Sequence, residues 1–450
     1  MKILPTIGPV SEKSNKLKKI LNISDIVRIN GSHNTILWHK NISEKIKKIN
    51  ANSRVLLDIP GVKPRTKNKK NINIKKNQKI IFRFEKTKEK SSILDIECSN
   101  KLPKIINRSR VLSLDDGKYL FKIIKIFKKK ILTKSTETFV LKPNKGLNIP
   151  LAIYDDNYQK KQYNKFLLKT KNIDYDAIGL SYVQNSEIIK IIKKNYPNKL
   201  IISKIENLEG LNNYKEIIKS SDAIMIDRGD LSAEVGDENL YFSILKITEE
   251  TKKNGKPLIM ATENLISMNT RQKPSKSEIM SLGFAQQIDV DIIMLSDETA
   301  VIKNWNKILN WLKNYLKKIT INPNLAKKRV EKNNIFWKLV ERLPNIPTVI
   351  FSKKGFALNN IVKLKGSAEL IVFSDNEKTI AAGAFRKNTT CYKVGKFYKK
   401  NFSNFIKKTI RKYKNKIFKN SNLASLIYIA YPEKNSRANT ISILSKNEFL

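Results

Sequence analysis

A lysine and two carboxylates each follow a short apolar run in the middle of the chain. Lys204 and Glu206 come directly after or close behind residues 200–203, and Asp230 follows residues 223–226. In a parallel α/β barrel the buried strands read as continuous apolar segments, and the side chains at their C-terminal ends line the catalytic mouth. The carboxylates could hold a divalent cation, and the lysine could stabilise an anion beside it. Taken alone, Lys204 and Glu206 are better explained as an ordinary surface ion pair, because such pairs are common.

Apolar segments alternate with helical patterns on both sides of a β-rich interruption. Segments that read as strands lie at 2–6, 25–29, 54–59, 176–180, 200–204, 223–226, 257–260 and 291–295. Eight βα repeats interrupted after the third strand predict an α/β fold, a (β/α)8 TIM barrel with a small all-β insert and a C-terminal α/β domain. The predicted boundaries are 1–66 and 144–320 for the barrel, 67–143 for the insert and 321–450 for the C-terminal domain.

The net charge of +48 on 450 residues invites a nucleic-acid function. However, only 13 of the 88 basic residues are Arg, and the Lys excess extends through every segment together with Ile and Asn. Drift in composition therefore explains the charge better than a specific nucleic-acid site does. The very basic stretch 399–419 reads as a helix with a solvated face. We see no apolar run of membrane-spanning length and no signal peptide, so the sequence predicts a cytoplasmic protein without a membrane partner.

Several separated motifs follow one another from residue 6 to residue 300. They are T-I-G-P at 6–9, R-I-N-G-S-H at 28–33, L-L-D at 56–58, R-T at 65–66, D-D-G at 115–117, K-G-L-N-I-P at 145–150, I-I-S-K-I-E-N at 201–207, R-G-D-L at 228–231, A-T at 261–262 and M-L-S-D-E-T-A at 294–300. Each motif is weak by itself, but the ordered set is specific and resembles the pyruvate kinase family. The resemblance implies transfer of a phosphoryl group from phosphoenolpyruvate to ADP, which gives pyruvate and ATP.

The resemblance also implies roles for individual residues. Glu206 and Asp230 would bind Mg²⁺ or Mn²⁺, since Mg²⁺ is commonly held by few carboxylates and by substrate oxygens. The catalytic residues would be Lys204, facing the transferring phosphoryl group and the enolate, together with Arg28 and Thr262. Phosphoenolpyruvate would contact the side chains or backbone of Arg28, Lys204, Gly229, Asp230 and Thr262.

The nucleotide would be held by a second group of residues near the insert. This group comprises Arg65, His33, Lys145 and Asp116. Asp116 is the least specific of them, because an Asp-Gly pair also marks a tight hairpin. The insert would close over the mouth as a lid that excludes water.

Monovalent cation use is predicted to differ from that of K⁺-dependent relatives. Asn30, Ser32 and Asp58 match the side chains that hold K⁺ in the family, but Lys63 stands where K⁺-dependent members carry Glu. A fixed ammonium could take the electrostatic place of the ion. We therefore expect activity without K⁺.

Other departures leave two further functions open. Gln184 replaces an Arg of the family, while Asp227, Glu263 and Asp297 add negative charge, so an anionic substrate could bind more weakly. The chain could thus be a diverged paralogue that acts on another phosphoenol or 2-oxo acid. The third reading is a non-catalytic polyanion-binding protein. Helix 277–287, which packs subunits together in the family, is altered, so a homo-oligomer is possible but not specified.

Overall fold

The computed structural model describes residues 1–85, 92–99, 101–104, 106, 109–319, 335–364, 369–397, 402–428 and 440–449. Among these residues, none of the helices combines the length and the apolar character needed to cross a membrane.

The chain begins with three βα-type steps and then leaves the barrel. The elements are β1 (Lys2–Ile7), α1 (Ser14–Leu21), β2 (Ile26–Asn30), α2 (Ile36–Ile49) and β3 (Arg54–Ile59). Each strand is short and almost wholly buried, as the apolar runs predict. The side chain of Thr35 accepts a hydrogen bond from the Trp38 amide and caps α2.

The insert after β3 consists of antiparallel strands with one parallel pair. Its strands are β4 (Ile72–Ile74), β5 (Lys79–Arg83), β6 (Leu94–Glu97), β7 (Val111–Leu114), β8 (Tyr119–Ile126), β9 (Lys130–Ser135) and β10 (Phe139–Leu141), followed by β11 (Leu147–Asn148). A six-stranded sheet has the order β11-β7-β8-β9-β5-β6, and β4 pairs with β10. The tight turn between β7 and β8 holds Asp115 and Asp116 at positive φ.

The remaining barrel strands alternate with helices. These elements are α3 (Asp156–Lys169), β12 (Ala177–Leu180), α4 (Ser186–Asn195), β13 (Leu200–Ile205), α5 (Leu208–Asn212), α6 (Tyr214–Ser220), β14 (Ala223–Asp227), α7 (Arg228–Val235), α8 (Asp237–Lys253), β15 (Leu258–Ala261), α9 (Lys276–Gln287), β16 (Ile292–Leu295), α10 (Asp297–Ala300) and α11 (Trp305–Lys318). The strands close into a parallel barrel of order β1-β16-β15-β14-β13-β12-β3-β2. The predicted (β/α)8 TIM barrel with a β insert after the third strand is confirmed.

A second α/β sheet follows the barrel. It is built from α12 (Ile335–Arg342), β17 (Thr348–Phe351), α13 (Phe356–Leu364), β18 (Leu370–Ser374), α14 (Glu377–Ala384), β19 (Thr389–Lys393), α15 (Phe402–Ile417), β20 (Leu423–Tyr428) and β21 (Thr440–Ser445). The sheet order is β19-β18-β17-β20-β21, with only β21 antiparallel to its neighbour. The boundary drawn at 320/321 lies outside the described residues, and the other domain boundaries stay predictions.

The basic stretch near the C-terminus is helical but does not lie free in solvent. Residues 399–401 are outside the described part, and α15 covers the rest up to Ile417. Phe402, Ile406 and Ile410 on one face of α15 are buried against the second sheet. The basic residues of α15, among them Lys407, Lys408 and Lys412, are exposed, so the helix has the expected solvated face, and its apolar residues recur at helical spacing on the opposite face.

Candidate active site

A cleft of about 830 Å³ opens at the C-terminal ends of the barrel strands, between the barrel mouth and the insert. The two sides of the barrel and the β7–β8 turn all contribute to its lining. Of the residues singled out in the sequence, those that line it are Arg28, Asn30, Ser32, His33, Asp58, Lys63, Arg65, Asp116, Lys145, Lys204, Glu206, Asp230 and Thr262. Gly229 is not among the lining residues.

Lys204 is carried on the inner face of β13. Alternation along the strand places it on the same side as Leu200 and Ile202, which pack inside the barrel. Its ammonium lies 2.9 Å from Glu206 Oε2 and 3.5 Å from Asp227 Oδ2. Burial lowers the pKa of Lys204, but the surrounding carboxylates outweigh it and hold the pKa above its ordinary value. Lys204 is therefore a permanent buried cation.

Glu206 follows β13 and is almost completely buried. Its Oε1 accepts a hydrogen bond of 2.7 Å from the Tyr182 amide. Its Oε2 accepts no hydrogen bond from the described protein, although the Lys204 ammonium stands beside it. Burial is the main reason that the pKa of Glu206 rises to about 8. Its neighbours therefore solvate this carboxylate poorly when it is charged.

Asp230 lies in the first turn of α7 and faces the same space. Its Oδ1 accepts hydrogen bonds from Asn148 Nδ2, at 3.0 Å, and from the ammonium of Lys63. Burial raises the pKa of Asp230 despite the attraction of Lys63. One oxygen from each of Glu206, Asp227 and Asp230 lies within 4.8 Å of the others. Three hard oxygen donors, one of which is a buried oxygen whose neighbouring charge is the Lys204 ammonium, fit a divalent cation such as Mg²⁺ or Mn²⁺.

Asp227 is the residue of this cluster that sequence reasoning did not assign to metal binding. It ends β14, directly before the R-G-D-L motif, and is mostly buried. The register of β14 on β15 pairs it with Ala261, so the next residue, Thr262, lies close by. The Thr262 hydroxyl is 3.0 Å from Asp227 Oδ1. The available signal was an acidic residue at a strand end, where the family has a small one.

Thr262 is hydrogen-bonded to the first residues of α7. Its Oγ1 accepts hydrogen bonds from the amides of Arg228, at 3.1 Å, and Gly229, at 3.3 Å. Its backbone has φ +61°, which is uncommon for a β-branched residue and points to a constrained loop. The Arg228 guanidinium binds the Thr262 and Glu263 carbonyls and fixes this loop. Gly229 thus does not line the cleft itself but is hydrogen-bonded to Thr262, which does.

Arg28 crosses the mouth from β2 and is held by two partners. Its Nε lies 2.8 Å from Asp58 Oδ2, and its Nη1 lies 3.0 Å from Thr6 Oγ1. Burial raises the pKa of Asp58, but the charges of Lys204 and Arg28 more than compensate and lower it overall. Asp58 is therefore an anion that orients both cations.

The β7–β8 turn of the insert reaches the mouth through ion pairs. The Lys63 ammonium lies 2.8 Å from Asp116 Oδ1 and also contacts Asp230. Lys145 lies 2.6 Å from Asp115 Oδ1. A Cβ at Gly229 would stand 3.3 Å from the Cβ of Asp116, so glycine permits this close approach. The insert is thus docked on the barrel mouth.

The remaining predicted residues also line the cleft. The Arg65 guanidinium donates to the Asn144 carbonyl, at 3.3 Å. Burial, followed by the charges of Arg65 and Arg28, lowers the pKa of His33, which makes the neutral ring the favoured form. Asn30 Oδ1 accepts from the Ser32 amide, at 3.0 Å.

The departures from the family pattern fall into two classes. Glu263 and Asp297 line the cleft. Gln184 does not line it, because its amide bridges the Tyr154 backbone, accepting from N at 2.8 Å and donating to O at 3.1 Å. Gln184 therefore ties the segment before α3 to the barrel wall.

Comparison with known proteins gives one consistent result. Residues 1–304 match the family model described as pyruvate kinase, barrel domain. A pyruvate kinase of Buchnera aphidicola subsp. Schizaphis graminum is 32% identical over 394 residues, which are 84% of this chain and 80% of that protein. A pyruvate kinase of Thermococcus litoralis is 28% identical over 313 residues, covering 67% and 66% of the two chains. One from Encephalitozoon cuniculi is 29% identical over 309 residues, covering 67% and 71%.

Proposed function

This chain belongs to the pyruvate kinase family, and from that premise we propose that it transfers the phosphoryl group of phosphoenolpyruvate to ADP and releases pyruvate and ATP. The observation that carries the proposal is the grouping of Lys204 and Arg28 with the carboxylates of Glu206 and Asp230 in one cleft. Phosphoryl transfer depends mainly on positioning and on neutralising negative charge spread over several oxygens. Two buried cations beside a set of hard oxygen ligands provide both.

Lys204 supports the proposal through its fixed charge. Its ammonium is held among three carboxylates at the mouth, so it is aimed before substrate arrives. We assign it to the bridging oxygen of phosphoenolpyruvate, where it stabilises the enolate that forms as the phosphoryl group departs. Arg28, oriented by Asp58 and Thr6, would bind oxygens of the phosphoryl group.

Glu206 and Asp230 are the proposed metal ligands. Bound Mg²⁺ or Mn²⁺ would supply positive charge that neutralises substrate oxygens. The chain itself orients these ligands, since the Tyr182 amide fixes Glu206 and Asn148 fixes Asp230.

Thr262 is placed for the second half of the reaction. The Thr262 hydroxyl accepts hydrogen bonds from the Arg228 and Gly229 amides and so lies at the start of α7, and backbone N–H groups at a helix start favour an anion such as the substrate carboxylate. The same hydroxyl can pass a proton to the methylene carbon of the enolate, which gives pyruvate.

ADP would enter between the barrel and the insert. Arg65, His33, Lys145 and Asp116, all of which line the cleft, are the residues proposed to bind it. Lys63 and Asp116 join the insert to the barrel above the proposed metal ligands, and this contact supports a lid that excludes water during transfer. Activity without K⁺, a cytoplasmic location and any homo-oligomer remain parts of the proposal.

ATP formation from phosphoenolpyruvate and ADP with Mg²⁺ is the direct test. We expect wild type to form ATP and Lys204→Met to lose at least about 10³-fold in turnover, the upper range for removing one fixed electrostatic contact. Unfolding of both proteins should be compared, so that a misfolded variant is not mistaken for an inactive one. Equal turnover by wild type and Lys204→Met would refute the assignment of Lys204.

A panel of 2-oxo acids separates the proposed reaction from that of a diverged paralogue. Glu263 and Asp297 line the cleft and add negative charge, which is the observation that favours the paralogue. When the reaction is run in the reverse direction with ATP, we expect pyruvate to be phosphorylated faster than the other 2-oxo acids. A different preferred 2-oxo acid would favour the paralogue, and steeply salt-dependent binding of nucleic acid without any ATP formation would favour the polyanion-binding protein.

A further inference from the structure

A third carboxylate stands where the proposed metal site needs only two. Asp227 ends β14, and its side chain is mostly shielded from solvent. One of its oxygens lies within 4.8 Å of ligand oxygens of both Glu206 and Asp230. Asp227 occupies the N-cap position of α7, but its side chain accepts no hydrogen bond from a backbone amide of that helix. Its carboxylate is therefore directed to the cleft and not to the helix end.

The donor set is independently marked as a place for a cation. Glu206 is 1% exposed, and its Oε2 accepts no hydrogen bond from the described residues. A buried carboxylate oxygen without a hydrogen bond is costly unless a positive charge or a ligand satisfies it. The ammonium of Lys204 lies beside Glu206 and Asp227, and the ammonium of Lys63 contacts Asp230. Among the described residues, two ammonium groups thus stand beside three carboxylates, which leaves one carboxylate without a cation of its own.

From this arrangement we infer that Asp227 is a third carboxylate ligand of the divalent cation and makes the protein bind Mg²⁺ or Mn²⁺ more tightly than Glu206 and Asp230 would alone. The inference rests on the proposed function only for taking Glu206 and Asp230 as metal ligands. A site with two protein carboxylates completes its coordination with substrate oxygens. A third charged oxygen ligand raises the affinity for the free ion, because ligand charge is a main determinant of affinity for hard cations.

Asp227 also has a structural contact that an experiment must separate from metal binding. Its Oδ1 accepts from the Thr262 hydroxyl, so loss of Asp227 could act by releasing Thr262. Asp227→Asn keeps an oxygen acceptor at that position and removes the charge. Asp227→Ala removes both. Glu263→Gln removes one negative charge from the same cleft without touching the three-carboxylate group.

Binding of Mn²⁺ in the absence of substrates tests the inference. Free Mn²⁺ is counted by its EPR signal during titration of wild type and the three variants, and each variant is checked for an unchanged unfolding temperature. We expect one tight site in wild type. Asp227→Ala should raise the Mn²⁺ Kd at least about tenfold and Asp227→Asn several-fold, whereas Glu263→Gln should change it less than about twofold.

Two results would overturn the inference. One is an unchanged Mn²⁺ Kd in both Asp227 variants. The other is an equal weakening by Glu263→Gln, which would show that only the overall charge of the cleft matters. Because the titration contains no substrate, its outcome is independent of the proposed reaction. If the protein binds Mn²⁺ through Asp227 but forms no ATP, the proposed reaction is refuted and the assignment of Asp227 as a metal ligand stands.

Discussion

Two buried carboxylates at the mouth of the barrel and two at its floor respond to burial in opposite ways, whereas Asp58 at the mouth has a pKa lowered by Lys204 and Arg28. At the mouth, burial dominates and raises the pKa of Glu206 and of Asp230. At the floor, where the strands begin, burial is again the largest influence, but neighbouring cations and amides outweigh it and lower the pKa of Asp176 and of Asp291. Similar burial is thus accompanied by opposite shifts in pKa, because the floor carboxylates have more effective cationic and amide partners than Glu206 and Asp230 have.

The floor carboxylates share one arrangement. Each precedes a strand and accepts a backbone amide from the start of a neighbouring strand: Asp176 from Val55, Asp222 from Ile201 and Asp291 from Leu258. Each also pairs with a basic side chain; the pairs are Asp176 with Arg54 and Lys47, Asp222 with Lys193, and Asp291 with Lys252. These aspartates hold strand starts in register.

The C-terminal domain completes the floor. Phe385, after α14, is fully buried among the apolar side chains inside the barrel. Lys387 pairs with Asp289, and the Arg386 guanidinium donates to the Gly255 carbonyl, at 2.9 Å. The floor is a closed packing interface, whereas the mouth keeps a cleft with charges that a ligand can use. Stability and chemistry are therefore expected to depend on different ends.

The largest expected effect comes from the mouth. Glu206→Gln should reduce ATP formation by about 10³-fold, because it removes a charged metal ligand from the transition state. The unfolding temperature should not fall, since a carboxylate with a raised pKa is not stabilised by its surroundings in the charged form. Coupled turnover assays and thermal unfolding measure the two quantities. A strong loss of stability would break the distinction between the two ends.

The reciprocal change at the floor should act on stability. Asp291→Asn leaves Lys252 without its buried partner and should lower the free energy of unfolding by about 3 kcal/mol, the lower end of the range for breaking such a pair. Asp289→Asn is the matched control, because that carboxylate is more exposed and should cost less. Urea unfolding measures both. Turnover per folded molecule should stay at the wild-type level, and a tenfold loss would contradict the assignment of the floor to stability.

Replacing the positive charge of Lys63 at the mouth by a negative one should make activity depend on K⁺. Wild type is expected to turn over in buffer free of K⁺ and Na⁺, because the Lys63 ammonium already sits among the carboxylates of the cleft. Lys63→Glu should become stimulated by K⁺ about tenfold, equivalent to ~1.4 kcal/mol. Lys63→Met, which lacks either charge, serves as the control. An absolute K⁺ requirement of the wild type would show that Lys63 does not replace the ion.

Much of the barrel was accessible from sequence because local physics determines it. Continuous apolar runs predict β12 to β16, and the acidic and basic residues after them fall at the mouth because every parallel strand ends there. The partners of Lys63 were not accessible. They lie 53 and 167 residues away, one in the insert and one in α7, and no periodicity encodes such a meeting.

Asp227 and the floor aspartates show a second limit. Each was visible as an acidic residue next to a strand, but whether it binds an amide, a lysine or a metal depends on strand register and on the length of the neighbouring element. Asp222 and Asp227 flank the same strand, and only the closed barrel assigns one to the floor and the other to the mouth. The pairing of strands in the closed barrel, and not the sequence of one strand, therefore determines the partner of each aspartate.

Lys256 is an exception that sharpens the comparison, because within the described part of the chain this floor cation forms no ion pair with a carboxylate, and Asp222 acts on it only at a distance. Its ammonium donates to the Ser221 carbonyl, at 2.7 Å, and burial, with the charge of Lys193 next, lowers its pKa to about 8. Below pH 8 the folded protein carries a poorly solvated ammonium. Between pH 8 and its ordinary value of 10.5 the unfolded chain binds more protons, so this group makes stability rise with pH.

Lys256→Met removes that dependence. The stability of the variant relative to wild type should be greatest near pH 7 and should decline as pH increases from 8 to 10.5, since wild type then escapes the cost of the buried charge. Urea unfolding at a series of pH values measures the difference, with Lys246→Met on the exposed face of α8 as the control. A difference that grows with pH would reverse the sign and show that Lys256 is stabilised as a cation. In that case the floor would satisfy all its charges, and poor solvation would be a property of the mouth carboxylates alone.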